Sequence, residues 1–387
     1  DRDKTIGDVL RKMPGINVDT KGKITYNGKE INKFYIEGQD LLEGKYGIAT
    51  NGIPQQEVGT VEVYEDHQPI KALEGLFFSD QAAINIKLKE GAKAHWITTL
   101  DLESGLPLPL WEIKSFTMLI KKNQQNISIL KSNNRGHDLS HECETVTTRG
   151  FFNQDDYYNQ SQDIDVALPS TPSLSPERTL DNRSHLFSTN QLWGLKNNYQ
   201  LKGQINYLND ETKSEATSKT IYYLPDGSYI LSETENGKSY QNMLTTNLTL
   251  IGNKDKFYLR NTLNTEWKWH RIDLLSLNGG INFLLRQMDS NQQNNHIPVE
   301  GDLLYNDIQT NYIRSYLNPK IELNKRFLIL TIQCPVSYYH YIYKKEKQRQ
   351  TMNYGIYSPS LKVQWNLTLD LKWTILGGIL QDKPDEF

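Results

Sequence analysis

Residues 361–375 read LKVQWNLTLDLKWTI. Every odd position is apolar: Leu361, Val363, Trp365, Leu367, Leu369, Leu371, Trp373 and Ile375. Every even position is polar: Lys362, Gln364, Asn366, Thr368, Asp370, Lys372 and Thr374. Successive side chains of a β-strand point to opposite faces, so this period of two defines one apolar and one polar face. About 15 residues is long for a single strand, and Asp370 is the expected turn within it.

The same grammar spreads back through the chain. Phe257, Leu259, Leu263, Trp267 and Trp269 alternate with Tyr258, Arg260, Thr262, Asn264, Glu266 and Lys268. Tyr199, Leu201, Ile205 and Tyr207 alternate with Gln200, Lys202, Gln204 and Asn206, and Leu328, Leu330, Ile332, Val336 and Tyr338 line one further strand. From His95 onward the helical period nearly vanishes. About a dozen strands are expected, near residues 95–104, 111–122, 126–133, 185–196, 199–209, 240–251, 256–269, 272–287, 305–323, 327–343, 353–368 and 371–380.

The connections alternate in kind. Short Asn/Lys turns fall at Lys121–Gln125, Asn197-Asn198, Gly252–Lys256 and Asn324–Arg326. Longer polar excursions fall at Ser132–Asn182, Asp210–Ser239 and Asp289–Gly301. Short turns at one end and long loops at the other is the asymmetry of a transmembrane β-barrel. Trp111, Trp193, Trp267, Trp269, Tyr338 and Tyr339 at strand tips fit its interfacial aromatic girdles. A soluble, secreted, saccharide-binding β-protein is the alternative, and alternation by itself does not separate the two.

Composition narrows the function classes. The chain has 387 residues, with Lys+Arg 43 against Asp+Glu 46 and a net charge of -3. A nucleic-acid binder normally carries a basic excess, so no nucleic-acid partner is expected. No apolar run approaches the ~20 residues of a spanning helix. The two cysteines, Cys143 and Cys334, support neither a disulfide framework nor a Cys-rich zinc site. His137, His141, Glu142, Cys143 and Glu144 lie close in sequence, but His-x-x-x-His converges only on a helix and this stretch reads as strand or loop, so no metal is expected. No phosphate loop, nucleophile elbow or metalloprotease signature is present, and neither a cofactor nor an enzymatic role is expected.

Residues 1–90 follow another grammar. Thr5-Ile6-Gly7-Asp8 forms a capping box ahead of Ile6, Val9, Leu10 and Met13 at helical spacing, and Pro14-Gly15 stops the helix. The strand Lys23–Tyr26 meets Asn27-Gly28, the strongest short hairpin signal, and Lys33–Glu37 is the return or next strand. Gly38–Gly52 reads as loop or short helix, and strands are expected at Thr60–Glu65 and Ala82–Lys89. About 90 residues make a small core, so this α+β unit is expected to lean on something larger.

Four ordered blocks of this region carry a resemblance. They are Asp8–Val18 (DVLRKMPGINV), Tyr35–Leu41 (YIEGQDL), Val61–Tyr64 with Leu73-Glu74-Gly75, and Ala82–Lys89 (AAINIKLK). Together they resemble the plug domain of TonB-dependent outer-membrane receptors. Departures mark a divergent branch: Glu65-Asp66-His67 stands where the family commonly has Arg-Gly-Pro, and Ala82-Ala83 where it has Gly-Gly.

The resemblance implies an α+β plug domain at 1–90, followed over 91–387 by antiparallel transmembrane β-barrel strands. It implies a Gram-negative outer-membrane location, contact with membrane lipid and uptake of an extracellular nutrient. The implied partners are periplasmic TonB, acting through a box not seen in this sequence, and a surface lipoprotein lid. A receptor that senses or adheres without transport is the alternative within the family. Plugged barrels have about 22 strands, so a dozen suggests an incomplete barrel. The ends of the sequence likewise read as cut.

The implied ligand site lies between plug apices and external loops. Gly38–Gly52 and His67–Asp80 are the candidate apices, and Gln39, Asp40, Tyr46, His67, Phe77 and Phe78 the candidate ligand contacts. Their rings offer stacking faces, and their amide, carboxylate and imidazole groups offer directional hydrogen bonds. The acidic and aromatic stretch Phe151–Tyr158 is a further candidate for saccharide or peptide.

Overall fold

The computed structural model describes residues 4–384 except 20–21, 76–77, 108, 141, 143–167, 170–173, 175, 225–226, 280–303, 326–327, 346–347, 369–370 and 379–380. His141, Cys143, Glu144, the Phe151–Tyr158 stretch, the Asp289–Gly301 excursion, the Asp370 turn and Phe77 therefore lie outside the described residues.

The N-terminal region begins with α1 (Ile6–Leu10), where the Thr5 backbone N–H donates to Asp8 Oδ2 at 3.1 Å. Strands β1 (Ile16–Val18), β2 (Ile24–Tyr26) and β3 (Lys29–Glu30) form a small antiparallel sheet. Its second turn is Asn27-Gly28, with φ of 48° and 80°, the left-handed pair that a type I′ hairpin requires. The return strand is thus Lys29–Glu30. The expected Lys33–Glu37 strand is β4 (Lys33–Ile36) in a second sheet, parallel to β6 (Ala83–Leu88), which pairs antiparallel with β5 (Val58–Tyr64). The Gly38–Gly52 stretch contains the short helix α2 (Gly47–Gly52).

Residues from Trp96 onward form one antiparallel sheet of fourteen segments. These are β7 (Trp96–Gly105), β8 (Leu110–Lys121), β9 (Gln124–Asn133), β10 (Asp181–Gly194), β11 (Tyr199–Leu224), β12 (Gly227–Asn253), β13 (Phe257–Gly279), β14 (Leu304–Lys325), β15 (Leu328–Gln333), β16 (Val336–Lys345), β17 (Gln348–Tyr357), β18 (Ser360–Thr368), β19 (Leu371–Gly378) and β20 (Gln381–Pro384). Sequence neighbours pair in up-and-down order, and the short turns fall at one end as expected. The sheet is open: β7 is one edge, and β19 and β20 form the other among the described residues.

Two expectations change. The strands expected at 256–269 and 272–287 are one strand, β13. The Asp210–Ser239 excursion is a continuation of β11 and β12, paired in unbroken register from Tyr199↔Gly252 to Leu224↔Gly227. Polar residues on both faces disguised this hairpin as loop.

Three pairs of segments are halves of one strand. Lys320 stands opposite Gln333 and Leu317 opposite Val336, so the register passes from β15 to β16 without a shift. It passes likewise from β18 to β17, where Gln333 faces Ser360 and Val336 faces Tyr357. Ser360 faces Gly378 and Tyr357 faces Gln381, which joins β19 to β20. Fourteen segments less these three joins leave eleven strands among the described residues.

One apolar cluster unites the two regions. Ile6, Leu10, Ile24, Phe34, Ile36, Tyr46, Ile48 and Ile84 of the N-terminal region pack with Phe116, Met118, Ile127, Ile129, Leu186 and Leu208 of β8–β11. Burying each such side chain stabilises the assembly by about 1.5–3 kcal/mol. The contact is close at Gly52, where a Cβ would stand 2.2 Å from the Phe116 ring. The N-terminal region therefore does lean on something larger, namely the buried face of the sheet.

Candidate functional site at the meeting of the two regions

Beyond β10 the two faces of the sheet are inverted relative to a soluble protein. The buried face carries Lys202, Gln204, Asn206, Thr249, Thr262, Asn318, Glu322, Thr331 and Gln333. The exposed face carries Leu201, Ile205, Tyr207, Leu248, Leu263, Trp267, Trp269, Ile313, Leu317, Ile321 and Ile332. Strand β13 shows where the inversion stops. Up to Trp269 its outer face is mainly apolar and its inner face polar. Beyond that point Arg271 and Asp273 face outward, while Ile272 and Leu274 are buried. The inverted stretch, Phe257–Trp269, is about 40 Å of strand, which at a tilt of about 45° spans roughly 28 Å. Trp193 lies near one limit of this band, and Trp267, Trp269 and Tyr338 near the other, as a pair of girdles would. Tyr339 does not belong to them, because it is buried on the inner face.

The tip of the loop after β4 meets this polar inner face. Glu43 adopts φ 48° and Gly44 φ 93°, which turns the Glu43 carboxylate toward the sheet. Its Oε1 lies 3.1 Å from Lys202 Nζ on β11 and its Oε2 lies 3.1 Å from Arg260 Nη2 on β13. Thr249 Oγ1 on β12 donates to Oε2 at 3.4 Å. Asp40 pairs with Lys33 of β4, stands 3.9 Å from Lys202, and accepts the Glu43 backbone N–H at 3.0 Å. Burial opposes ionisation of both carboxylates. Even so, Lys33 and Lys202 hold Asp40, and Lys202 and Arg260 hold Glu43, well below the usual carboxylate range. Lys202 is only 2% exposed, so this is a desolvated hub joining the N-terminal region to three strands. Sequence reading found Asp40 but missed Glu43, Lys202 and Arg260. Lys202 and Arg260 were visible as the polar partners in alternating strands, yet nothing local tied them to Glu43.

Of the six predicted contacts, the five that the structure describes are dispersed. Asp40 is in the hub. Gln39 Nε2 donates to the Lys122 carbonyl at 2.7 Å, beside the β8–β9 turn. The stretch after His67 is held near the β12–β13 turn, where Asn253 Nδ2 donates to the Pro69 carbonyl at 2.9 Å and Asn253 Oδ1 accepts the Lys71 N–H at 3.0 Å. Both candidate apices thus reach residues beside the short turns, away from the long-loop end where a ligand was expected. Tyr46 is wholly buried, stacks on Phe34 at 5.4 Å, and accepts the Ile24 N–H on its hydroxyl at 3.0 Å. It presents no face to a ligand. Phe78 is exposed.

His67 lies between Asn32 Oδ1, 3.1 Å from Nδ1, and the Tyr35 hydroxyl, 3.3 Å from Nε2. Nδ1–H donating to the amide and the phenol donating to Nε2 together suit the neutral ring. Burial, then the Lys33 charge, lower its pKa from 6.5 to about 4. The unfolded chain takes up this proton near pH 6.5 and the folded chain only near 4, so the His67 contribution to stability is complete above pH 6.5 and declines on acidification toward 4. Thermal melts over that window are expected to show a steeper loss for the wild type than for His67→Gln. Equal slopes would contradict this.

His137 Nδ1 pairs with Glu112 Oε1 at 2.5 Å, and Arg135 Nη1 with Glu112 Oε2 at 2.9 Å. His137 thus anchors the start of the β9–β10 loop through an ion-pairing carboxylate.

No protein-family model matches the sequence, and no curated protein does. Solved structures do match. The open form of the ferric-catecholate import receptor Fiu from E. coli K12 is 10% identical at a TM-score of 0.35, over 98% of this chain and 67% of that one. The chain is similar to outer-membrane import receptors. The ferric citrate transporter FecA in its unliganded form is 8% identical at 0.28, over 97% and 60% of the two chains. The pyoverdine outer membrane receptor FpvA from Pseudomonas aeruginosa PAO1 is 14% identical at 0.28, over 94% and 59%. The likeness is one of fold alone, and this chain spans roughly three fifths to two thirds of the length of these receptors.

Proposed function

We propose that residues 1–90 are the plug, and residues 91–387 barrel wall, of an outer-membrane receptor that takes up an extracellular nutrient. The inverted faces of the sheet, ending beyond Trp269, carry this reading. Leucine, isoleucine and tryptophan on an outer face about 28 Å tall suit lipid, and polar residues on the inner face suit a plug and water. The same distribution opposes the soluble saccharide-binding alternative, which needs its polar face outward.

A plug seated in a wall blocks diffusion, so transport requires work to shift it. TonB is the proposed source of that work, and a surface lipoprotein lid a proposed partner. In this orientation the short turns face the periplasm and the long loops face outward.

Leu263, midway up the outer face of β13, gives the test. Leu263→Arg is expected to cost about 2–4 kcal/mol of folding into lipid vesicles. Asn236→Arg, on the same outer face of β12 beyond the band, is expected to fold like the wild type. Equal behaviour of the two variants would overturn the membrane assignment.

A further inference from the structure

Proline cannot donate to a β-ladder and is ordinarily confined to sheet edges or bulges. Here Pro319, Pro335 and Pro359 all lie away from the sheet edges, and at one level. Pro319 stands opposite Leu263, halfway up the apolar band. Pro335 and Pro359 fall in the breaks between β15 and β16 and between β17 and β18. The unshifted register across both breaks shows that no residue is inserted, so these are not bulges.

The hydrogen bonds show what is lost. Cys334 N–H donates to the Pro319 carbonyl at 3.1 Å, and Ser358 N–H to the Pro335 carbonyl at 3.1 Å. A hydrogen-bonded antiparallel pair normally exchanges two such bonds. At both rungs the return bond is impossible, because the residue that would donate it is proline. Pro359 removes a further donor one residue along. The ladder is therefore thinned along a line that crosses adjacent strands at mid-band.

The two sides of this line are held differently. On the turn side, Tyr258 of β13 packs with Ile70, Ala72 and Leu73 of the N-terminal region. On the loop side, Tyr339, Tyr341 and Tyr354 form their own cluster with Met352 and Ile356, and Tyr339 stacks on Tyr354 at 4.5 Å. The apolar cluster that fixes the N-terminal region includes no described residue of β14–β20. The loop-side half thus has internal cohesion without an apolar anchor to the N-terminal region.

We infer that the Pro319–Pro335–Pro359 line is a hinge, on which the loop-side leaf (β16, β17, β20 and the first part of β14) swings relative to the turn-side leaf (β15, β18 and β19). The inference rests on the inverted faces only for its depth in the membrane. The hinge itself follows from the ladder and holds in any environment.

Spin-label distance measurements on the full-length protein in lipid test it, in a Cys143→Ser, Cys334→Ser background. Labels at Asn353 and Leu361 straddle the line on the outer face. Labels at Leu259 and Trp267 have the same separation along the unbroken β13. The straddling pair is expected to give a distance distribution at least twofold broader than the control. Pro319→Thr, Pro335→Val and Pro359→Thr together are expected to narrow it to the control width. Should that variant not fold, amide exchange of the wild type supplies the second reading: Val336 and Ser358 are expected to exchange at least tenfold faster than Ile329 and Leu263. A straddling pair as narrow as the control, a width unchanged in the folded triple variant, or uniform exchange along the strands would overturn the hinge.

Discussion

Replacing Glu43 with alanine is expected to destabilise the seating of the N-terminal region by about 3–5 kcal/mol, the usual cost of leaving a buried charge without its partner. The variant leaves Lys202, which is almost without solvent, only the Asp40 carboxylate at 3.9 Å, and takes the paired carboxylate from Arg260. Glu43→Gln retains the shape and some hydrogen bonding but not the charge, and is expected to lose nearly as much. Limited proteolysis of residues 1–90, run beside chemical denaturation, measures the loss. The cost should largely vanish when Lys202→Met and Arg260→Met accompany Glu43→Ala, because apolar replacement of a whole buried ion cluster is often neutral or better. A single variant as resistant as the wild type would mean that the hub does not hold the two regions together.

Tyr46→Ala is expected to be of similar size, about 3–5 kcal/mol, because a large side chain leaves a cavity against Phe34. Tyr46→Phe isolates the hydroxyl. It leaves the Ile24 N–H without an acceptor, and a stranded buried donor costs about 1–3 kcal/mol. Both losses are expected in thermal melts taken without any ligand. A Tyr46→Phe protein that melts like the wild type but binds ligand poorly would restore the ligand role implied by the resemblance.

Much of the fold was legible because alternation is a local signal. The pattern in Phe257–Trp269 needs only neighbours in sequence, and the Asn27-Gly28 turn and the Thr5–Asp8 cap are each read from a few residues. What failed had a physical cause. Beyond Trp269 the inner and outer faces exchange polarity, so one continuous strand read as two. In the β11–β12 hairpin, Glu211, Lys213 and Glu215 are strand residues outside the apolar band, and charge there mimics loop. The hub was only partly legible because it joins Asp40 and Glu43 to Lys202 and Arg260 over long separations, and no single sequence reveals such pairing. Tyr46 was misread because an aromatic residue in a Gly-rich stretch looks like a loop tip, whereas this one, immediately before α2, is turned into the core.

The β11–β12 hairpin has a consequence for who meets this protein first. From Tyr207 to Leu224 is about 17 residue steps, or roughly 55 Å of strand standing beyond the apolar band. In the proposed orientation that ribbon rises well clear of the lipid headgroups. A macromolecule arriving from that side would meet the tip of the ribbon before it met the hub, which lies near the short turns. Change in that tip is free of the constraints that act on the wall, so surface variation among relatives is expected to concentrate there while the hub stays fixed.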